Sequence, residues 1–193
     1  TYDSHGNVTS ITNPLGHQRT FTYGVNSVVL SQVDEIGAVT QNNLDSNGNV
    51  LSSTDPLGNV TTYTYDSRGN QLSETDALGN ITQFAYDVGG NQVSTTDALG
   101  HTTNYSSDGR GNLLSESSNL TTASGVVMVT TEWTYDSKGR QTARQDAAGN
   151  ISRTDYNELG LVSATIDENG NRTEYIYDDG GLLLSTLFSD GTS

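Results

Sequence analysis

Short runs of alternating polar and apolar residues, five to eight long, recur along the whole chain and are cut by glycine at regular intervals. Two of them are "NQLSETD" (Asn70–Asp76) and "NITQFAYD" (Asn80–Asp87). They have the usual length of strands and draw on the β-branched and aromatic residues that strands favour. No apolar spacing of 3.6 residues survives more than a turn between glycines, so helices are not predicted. Between the runs stand Asp66-Ser67-Arg68-Gly69 and Asp76-Ala77-Leu78-Gly79. Aspartate at the first position and glycine at the fourth suit a type I turn, the carboxylate bonding back to the chain and the glycine accepting positive φ. A turn of this kind with a left-handed glycine is a common hairpin connection. The pattern predicts an all-β meander of hairpins.

The phrase repeats. Aligned on Tyr-Asp, units start at Tyr2, Tyr23, Leu44, Tyr65, Tyr86, Ser107, Tyr135, Tyr156 and Tyr177. The spacing is 21 residues throughout, except for one interval of 28, whose seven extra residues fall within Ser118–Thr130. Self-similarity at a fixed period marks a repeat architecture. The chain reads as one array, 1–193, of about nine units with two strands each, and it starts in frame with the repeat, as a segment of something longer does. Gly48, Gly58, Gly69, Gly79, Gly100, Gly149 and Gly170 hold the turn positions, and Gly69 and Gly79 are expected at φ > 0.

Columns give each position a job. Seven residues into the unit come Leu30, Leu51, Leu72, Val93, Leu114 and Leu184, an apolar contact. The next column is always small: Ser10, Ser31, Ser52, Ser73, Ser94, Ser115, Ala143, Ala164 and Ser185. Two residues before Tyr-Asp the column is mostly aromatic, with Phe21, Tyr63, Phe84, Tyr105, Trp133 and Tyr175. A three-residue loop after Asp66 would set Tyr63 opposite Ser73, large against small. The odd period adds a demand. Side chains alternate faces, so two equivalent turns per unit would swap the faces at every repeat. Either the two turns differ by one residue in loop length, or each unit carries one β-bulge.

Composition narrows the class. Hydrophobic residues are 32% and charged residues 16%, with 21 glycines and no cysteine. Without cysteine there is no disulfide scaffold, thiolate metal site or cysteine nucleophile. The balance of 8 Lys+Arg against 23 Asp+Glu, a formal net charge of −15, repels phosphate backbones and anionic membrane surfaces. The same charge keeps an extended sheet soluble and its edges apart. No nucleic acid partner and no membrane insertion are expected, and no apolar run approaches the ~20 residues of a membrane helix.

Tyr-Asp-x-x-Gly-Asn, then Leu-Ser, then Asp-x-x-Gly-Asn-x-Thr, then aromatic-x-Tyr-Asp, resembles the YD repeats of Rhs proteins, which also build the shells of teneurins and insecticidal toxin complexes. The resemblance spans essentially the whole chain, with degenerate units at Tyr23-Gly24, Leu44-Asp45, Ser107-Asp108 and Tyr156-Asn157. It implies repeated antiparallel β-hairpins forming a curved strip or open spiral, a segment of a YD-repeat shell. It also implies a secreted or surface location and a structural, non-enzymatic role, the partners being neighbouring repeats and often an enclosed C-terminal toxin.

Candidate chemistry is sparse. His17 and His101 occupy the slot after the turn glycine that Asn59, Asn80, Asn150 and Asn171 fill elsewhere, and His5 is the only other histidine. They read as turn substituents; a Ser/His/Asp triad needs three unlike groups converging. Asp45-Ser46-Asn47-Gly48-Asn49 and Asp167-Glu168-Asn169-Gly170-Asn171 look like calcium loops, but glycine is fourth, not sixth. No cofactor or metal is called for. Asn7, Asn59 and Asn80 head glycosylation sequons that follow from the turn-to-strand phrase itself. Asp55-Pro56-Leu57-Gly58 resembles the Asp-Pro-x-Gly cleavage signature at the end of Rhs shells, yet it holds the ordinary second-turn slot, with Pro pre-setting φ. Trp133, the sole tryptophan, lies beside the insertion, with Tyr135 two residues on. These two are the candidate ligand-binding residues for a cell-surface glycan or protein; the alternative is a packed ladder position, as the rest of their column implies.

Overall fold

The structure, a computed structural model, describes residues 1–189. The last four positions of the expected array, 190–193, lie outside the described residues. The described residues form seventeen strands and one 3-10 turn at Val25–Ser27. The fold class is therefore as the sequence predicts: all-β, built from antiparallel hairpins, with no longer helix.

Two compact units divide the chain, Thr1–Gly90 with Thr95–Gly100, and Asn91–Ser94 with the residues from His101 onward. In the first, an isolated bridge Tyr2–Val8 is followed by β1 (Ser10–Thr12), β2 (Gln18–Tyr23), β3 (Val29–Val33), β4 (Val39–Leu44), β5 (Val50–Thr54), β6 (Val60–Tyr65), β7 (Gln71–Thr75) and β8 (Ile81–Tyr86). Each pairs antiparallel with the next. The short strand β9 (Gln92–Thr96) is shared between the units. The second unit holds β10 (Thr102–Ser107), β11 (Leu113–Thr122), β12 (Gly125–Tyr135), β13 (Gln141–Gln145), β14 (Ile151–Tyr156), β15 (Val162–Ile166), β16 (Arg172–Tyr177) and β17 (Leu183–Phe188), again paired in sequence order.

The two turns of a repeat share one construction. The Gly69 N–H donates to the Asp66 carbonyl at 3.1 Å, and the Asp66 N–H to the Asn70 carbonyl at 2.9 Å. Gly79 and Asp76 do the same at 3.0 Å each. Gly69 and Gly79 have φ of 88° and 85°, as expected. The Asp66 carboxylate closes the loop: Oδ1 accepts from the N–H groups of Arg68 and Asn70 at 2.8 and 2.9 Å, and Oδ2 accepts from the Asn70 amide at 2.8 Å. That explains why asparagine follows the glycine so often.

The turns differ in the ladders they close. Across the second turn the ladder runs without a shift, as in Ser52–Thr62, Ser53–Thr61 and Thr54–Val60. Across the Tyr-Asp turn Thr64 pairs with Ser73 but Tyr65 pairs with Gln71, which leaves Leu72 over. The same shift recurs beside Leu30, Leu51, Leu114 and Leu184. A bulge in each of these hairpins answers the odd period: the extra residue restores the faces every 21 residues. The apolar column is thus the bulge residue. The bulge also corrects one expected pair. Tyr63 stands opposite Glu74, and Ser73 stands opposite Thr64, because Leu72 takes up the residue that an unbroken ladder would count.

Tyr63 and Tyr65 are half-buried on one face of β6, while Val60, Thr62 and Thr64 are exposed on the other. On that second face the hydroxyls of Thr64 and Ser73 meet at 2.6 Å, and those of Thr22 and Ser31 at 2.7 Å. Among the described residues only Ala164 is fully buried. Within each unit the strands pair with their neighbours in sequence, so stabilisation comes from cross-strand pairs.

Candidate binding cleft beside the long hairpin

The insertion lengthens one hairpin. β11 and β12 pair continuously from Ser115–Glu132 to Thr122–Gly125. The neighbouring strands cover only the base: β10 reaches Ser118 on β11, and β13 reaches Glu132 on β12. Beyond those points the two strands form a ribbon closed at Ala123-Ser124, where the Thr122 hydroxyl donates to the Gly125 carbonyl at 2.8 Å.

The ribbon makes a step against the next turn, Asp146–Gly149. At its foot lies a cleft of about 310 Å³ lined by Glu116, Ser118, Val129, Thr131, Trp133, Arg144 and Ala147. Strand alternation puts Val129, Thr131 and Trp133 on one face of β12, and the register sets Glu116 opposite Thr131 and Arg144 opposite Trp133. In an ordinary repeat the positions of Ser118 and Val129 belong to a turn; here they stand in strands and become a wall. Arg144 is held toward Glu168 at 3.6 Å. The cleft therefore offers one half-buried indole, a hydroxyl pair, a carboxylate and a guanidinium. These groups suit stacking and hydrogen bonding. Tyr135 is half-buried on the same face as Trp133 and pairs with Gln141, outside the lining of the cleft.

The remaining candidates are occupied by the turns. Asp45 Oδ1 accepts from Asn47 and Asn49 N–H, and Oδ2 from the Asn49 amide, all at 2.8 Å. Asp167 repeats the arrangement at 2.7 to 2.9 Å. Turn donors thus engage the oxygens that a calcium ion would need. Among the described residues no group of three acidic or histidine side chains is placed to hold a metal. The sequon asparagines Asn7, Asn59 and Asn80 each donate their amide to the aspartate of their own turn. Asp55-Pro56-Leu57-Gly58 closes like every other second turn, with Gly58 N–H to Asp55 carbonyl at 3.0 Å. His5 and His17 are exposed turn residues whose N–H groups bond to Asp3 and Asn13.

The Asn side chain four residues on is the chief cause that lowers the carboxyl pKa of Asp3, Asp45, Asp55, Asp66, Asp76, Asp108, Asp146 and Asp167 below the ordinary range, helped by the turn N–H groups. At Asp136 the lowering comes first from the Arg140 N–H and then from its guanidinium. Arg140 fills the asparagine slot there, donating Nε to Asp136 Oδ2 at 2.7 Å and lying 4.2 Å over the Tyr156 ring.

The RHS repeat model matches residues 2–26, 45–81, 65–103, 108–151 and 156–193, most of the chain. The chain belongs to the RHS repeat family. Among solved structures, the crystal structure of TcdB2-TccC3-TEV aligns over 97% of this chain at 17% identity and a TM-score of 0.55. That of TcdB2-TccC3 without its hypervariable C-terminal region aligns over 97% at 16% identity and 0.55. Full TcdB2-TccC3 aligns over 100% at 16% identity and 0.52. At such identities the likeness is one of fold. The RHS chain spans only 14% of the length of these structures. No curated protein matches it. Among the described residues no helix is long and apolar enough to cross a membrane.

One functional feature escaped the sequence reading. The Tyr-Asp column contains Tyr, Leu and Ser but never Phe, whereas the neighbouring aromatic column accepts Phe21, Phe84 and Trp133. A column that insists on tyrosine signals a hydroxyl in use.

Proposed function

We propose that the chain is a non-enzymatic wall segment of a larger, secreted or surface-exposed RHS protein, a single array of nine repeats within a shell that encloses a C-terminal toxin. The observation that carries this reading is the sheet of repeated hairpins, in which the aspartate of each turn is engaged by its own turn and the tyrosine of one repeat hydrogen-bonds to the bulge of the repeat before it. Such a strip makes surface, and its partners are the repeats on either side.

Size supports the need for those neighbours. The seventeen strands at ~4.8 Å give a width of roughly 82 Å, hence a closed ring about 26 Å across, and side chains reduce the free bore to about 16 Å. A folded 100-residue domain has a radius of gyration near 13 Å and is more than about 30 Å wide. It does not fit inside nine repeats, so enclosure requires the longer chain. The test is limited proteolysis of the full parent polypeptide. The segment after the repeats is expected to resist protease until the shell is unfolded. A segment cleaved as fast in the intact parent as in isolation refutes the enclosing role.

A second reading, an adhesion module for neutral carbohydrate, is favoured by the cleft at Trp133. Aromatic stacking with convergent hydroxyl, carboxylate and guanidinium groups is the chemistry of a sugar face and its edges. Trp133 is the sole tryptophan, so its fluorescence reports on this cleft alone. Saturable quenching by maltotriose, cellotriose or chitotriose, lost in Glu116→Ala, supports a binding module. Unchanged emission with all three leaves the wall as the whole function.

A further inference from the structure

The second turns of the first unit carry a large apolar side chain at their third position. These are Leu15, Ile36, Leu57, Leu78 and Leu99, and they are 81 to 89% exposed. In each the backbone N–H is pinned by the side chain that opens the turn, Asn13, Asp34, Asp55, Asp76 or Asp97, at 2.8 to 3.0 Å. Five apolar knobs are therefore presented on rigid loops at the period of the array, two strand spacings or roughly 9.6 Å apart.

The space between the knobs is open. A Cβ built on Gly16, Gly37, Gly58, Gly79 or Gly100 meets nothing within 4 Å. On the opposite edge the Tyr-Asp turns stack, and a Cβ on Gly48 would lie 3.1 Å from Asn26 and one on Gly69 3.5 Å from Asn49. The second-turn edge thus alternates a knob with a gap at each of its five turns.

We infer that this edge is a self-complementary interface that takes a second copy of the chain. A gap of roughly 9.6 Å between backbones admits one apolar side chain at contact distances of about 4 Å on each side. A partner that fills every gap must carry knobs at the same spacing, and the row itself does. Two rows shifted by half a period interlock about a two-fold axis, so that each copy is both knob and hole. At about 100 Å² of apolar surface per leucine the five tips supply about 500 Å². The exposed Pro14, Pro56, Ala77 and Ala98 beside them extend the patch toward the ~800 Å² per partner of a standard interface. The row stops after the first unit, where Ala148 and Asn169 take the equivalent positions. The net charge of −15 opposes the pairing, so added salt strengthens it. An interface held by ion pairs would weaken.

Sedimentation equilibrium of the whole chain over a concentration series, at low salt and at ~0.5 M NaCl, tests this. The expected result is a reversible dimer that tightens with salt, and a loss of at least about tenfold in affinity in the double variant Leu57→Asp, Leu78→Asp. That variant is expected to melt with the parent, since Leu57 and Leu78 are 87% and 88% exposed. The control Val126→Asp, Met128→Asp, on the long hairpin, is expected to dimerise like the parent. A chain that stays monomeric at both salts overturns the inference, as does a dimer that survives the double variant or is broken by the control.

Discussion

The Tyr65 hydroxyl donates to the Val50 carbonyl at 3.0 Å, reaching from one repeat to the bulge of the repeat before it. Val50 pairs with Leu44 where Leu51 is squeezed out of the ladder, and a bulge leaves backbone groups that need another partner. The same bond joins Tyr23 to Val8, Tyr156 to Gln141 and Tyr177 to Val162, at 2.7 to 2.9 Å. Where Leu44 replaces the tyrosine, Asn42 donates its amide to Val29, the equivalent carbonyl, at 2.9 Å. A different side chain from two residues away meets the same need. The tyrosine of the repeat is a hydrogen-bond donor that happens to be aromatic.

Tyr65→Phe keeps the ring and removes the donor. The expected loss is about 0.5–1.5 kcal/mol, the net worth of one such bond, read from urea unfolding. Asn42→Ala is expected to lose a similar amount, and adding Leu44→Tyr to it to restore most of that loss. Failure of the second change to rescue the first would mean that Asn42 acts through packing.

Gly79 sits at φ 85° with open space around it. Its replacement by valine meets no neighbour but forces a branched residue into the left-handed region, at about 1–2 kcal/mol. Gly109 is the internal control, because no positive φ attaches to it and a Cβ there also meets nothing. Gly109→Ala is expected to be neutral or slightly stabilising through the unfolded chain. Equal losses at the two sites in thermal melts would remove the conformational argument.

Much of this architecture was legible in the sequence, for physical reasons that can be located. Asp66 and Gly69 define a turn by local chemistry alone, so turn type and glycine sign could be read without tertiary information. The odd period required a bulge or an unequal loop, but only the register places the bulge at Leu72; hence Tyr63 was set one residue out of line. Trp133 stood out as the sole tryptophan, yet the cleft at its foot depends on how far β11 and β12 outrun their neighbours, which no local pattern encodes. Leu57 and Leu78 were legible as turn residues, and their standing as exposed knobs follows from the spacing between turns.

Acid is expected to unfold the array from its turns. The carboxyl of Asp76 is lowered from its ordinary value of 3.8, first by the Asn80 amide and then by the Asn80 N–H, and the equivalent turns repeat this. A carboxyl lowered in the folded state contributes stability that is present above its unfolded value and is lost as pH falls through the folded value. Stability should therefore hold down to about pH 4 and decline below it. Asn80→Ala removes the chief cause of the lowering, so it is expected to reduce stability at neutral pH and to make the acid limb shallower, with the same onset. An acid limb as steep in the variant as in the parent would show that the asparagine does not set it.

Ala164 is completely buried, alone among the hydrophobic side chains of the described residues. Its neighbours across the ladder are Asp155 on β14 and Glu174 on β16. Arg172 donates Nη1 to Asp155 and Nε to Glu174, at 2.9 Å each, so that its guanidinium spans the two strands and roofs the methyl group between them. A small residue is needed at this position because the roof sits low. Ala164→Leu forces the three charged side chains apart, at about 1–3 kcal/mol, the usual penalty of overpacking. Arg172→Ala removes the roof without strain, and as an exposed pair it is expected to matter little and to matter less in high salt. The decisive comparison is the double variant. If the leucine is costly only because of the roof, Ala164→Leu in the Arg172→Ala background should recover most of the lost stability. A double variant no more stable than Ala164→Leu alone would place the strain in the strand backbone instead.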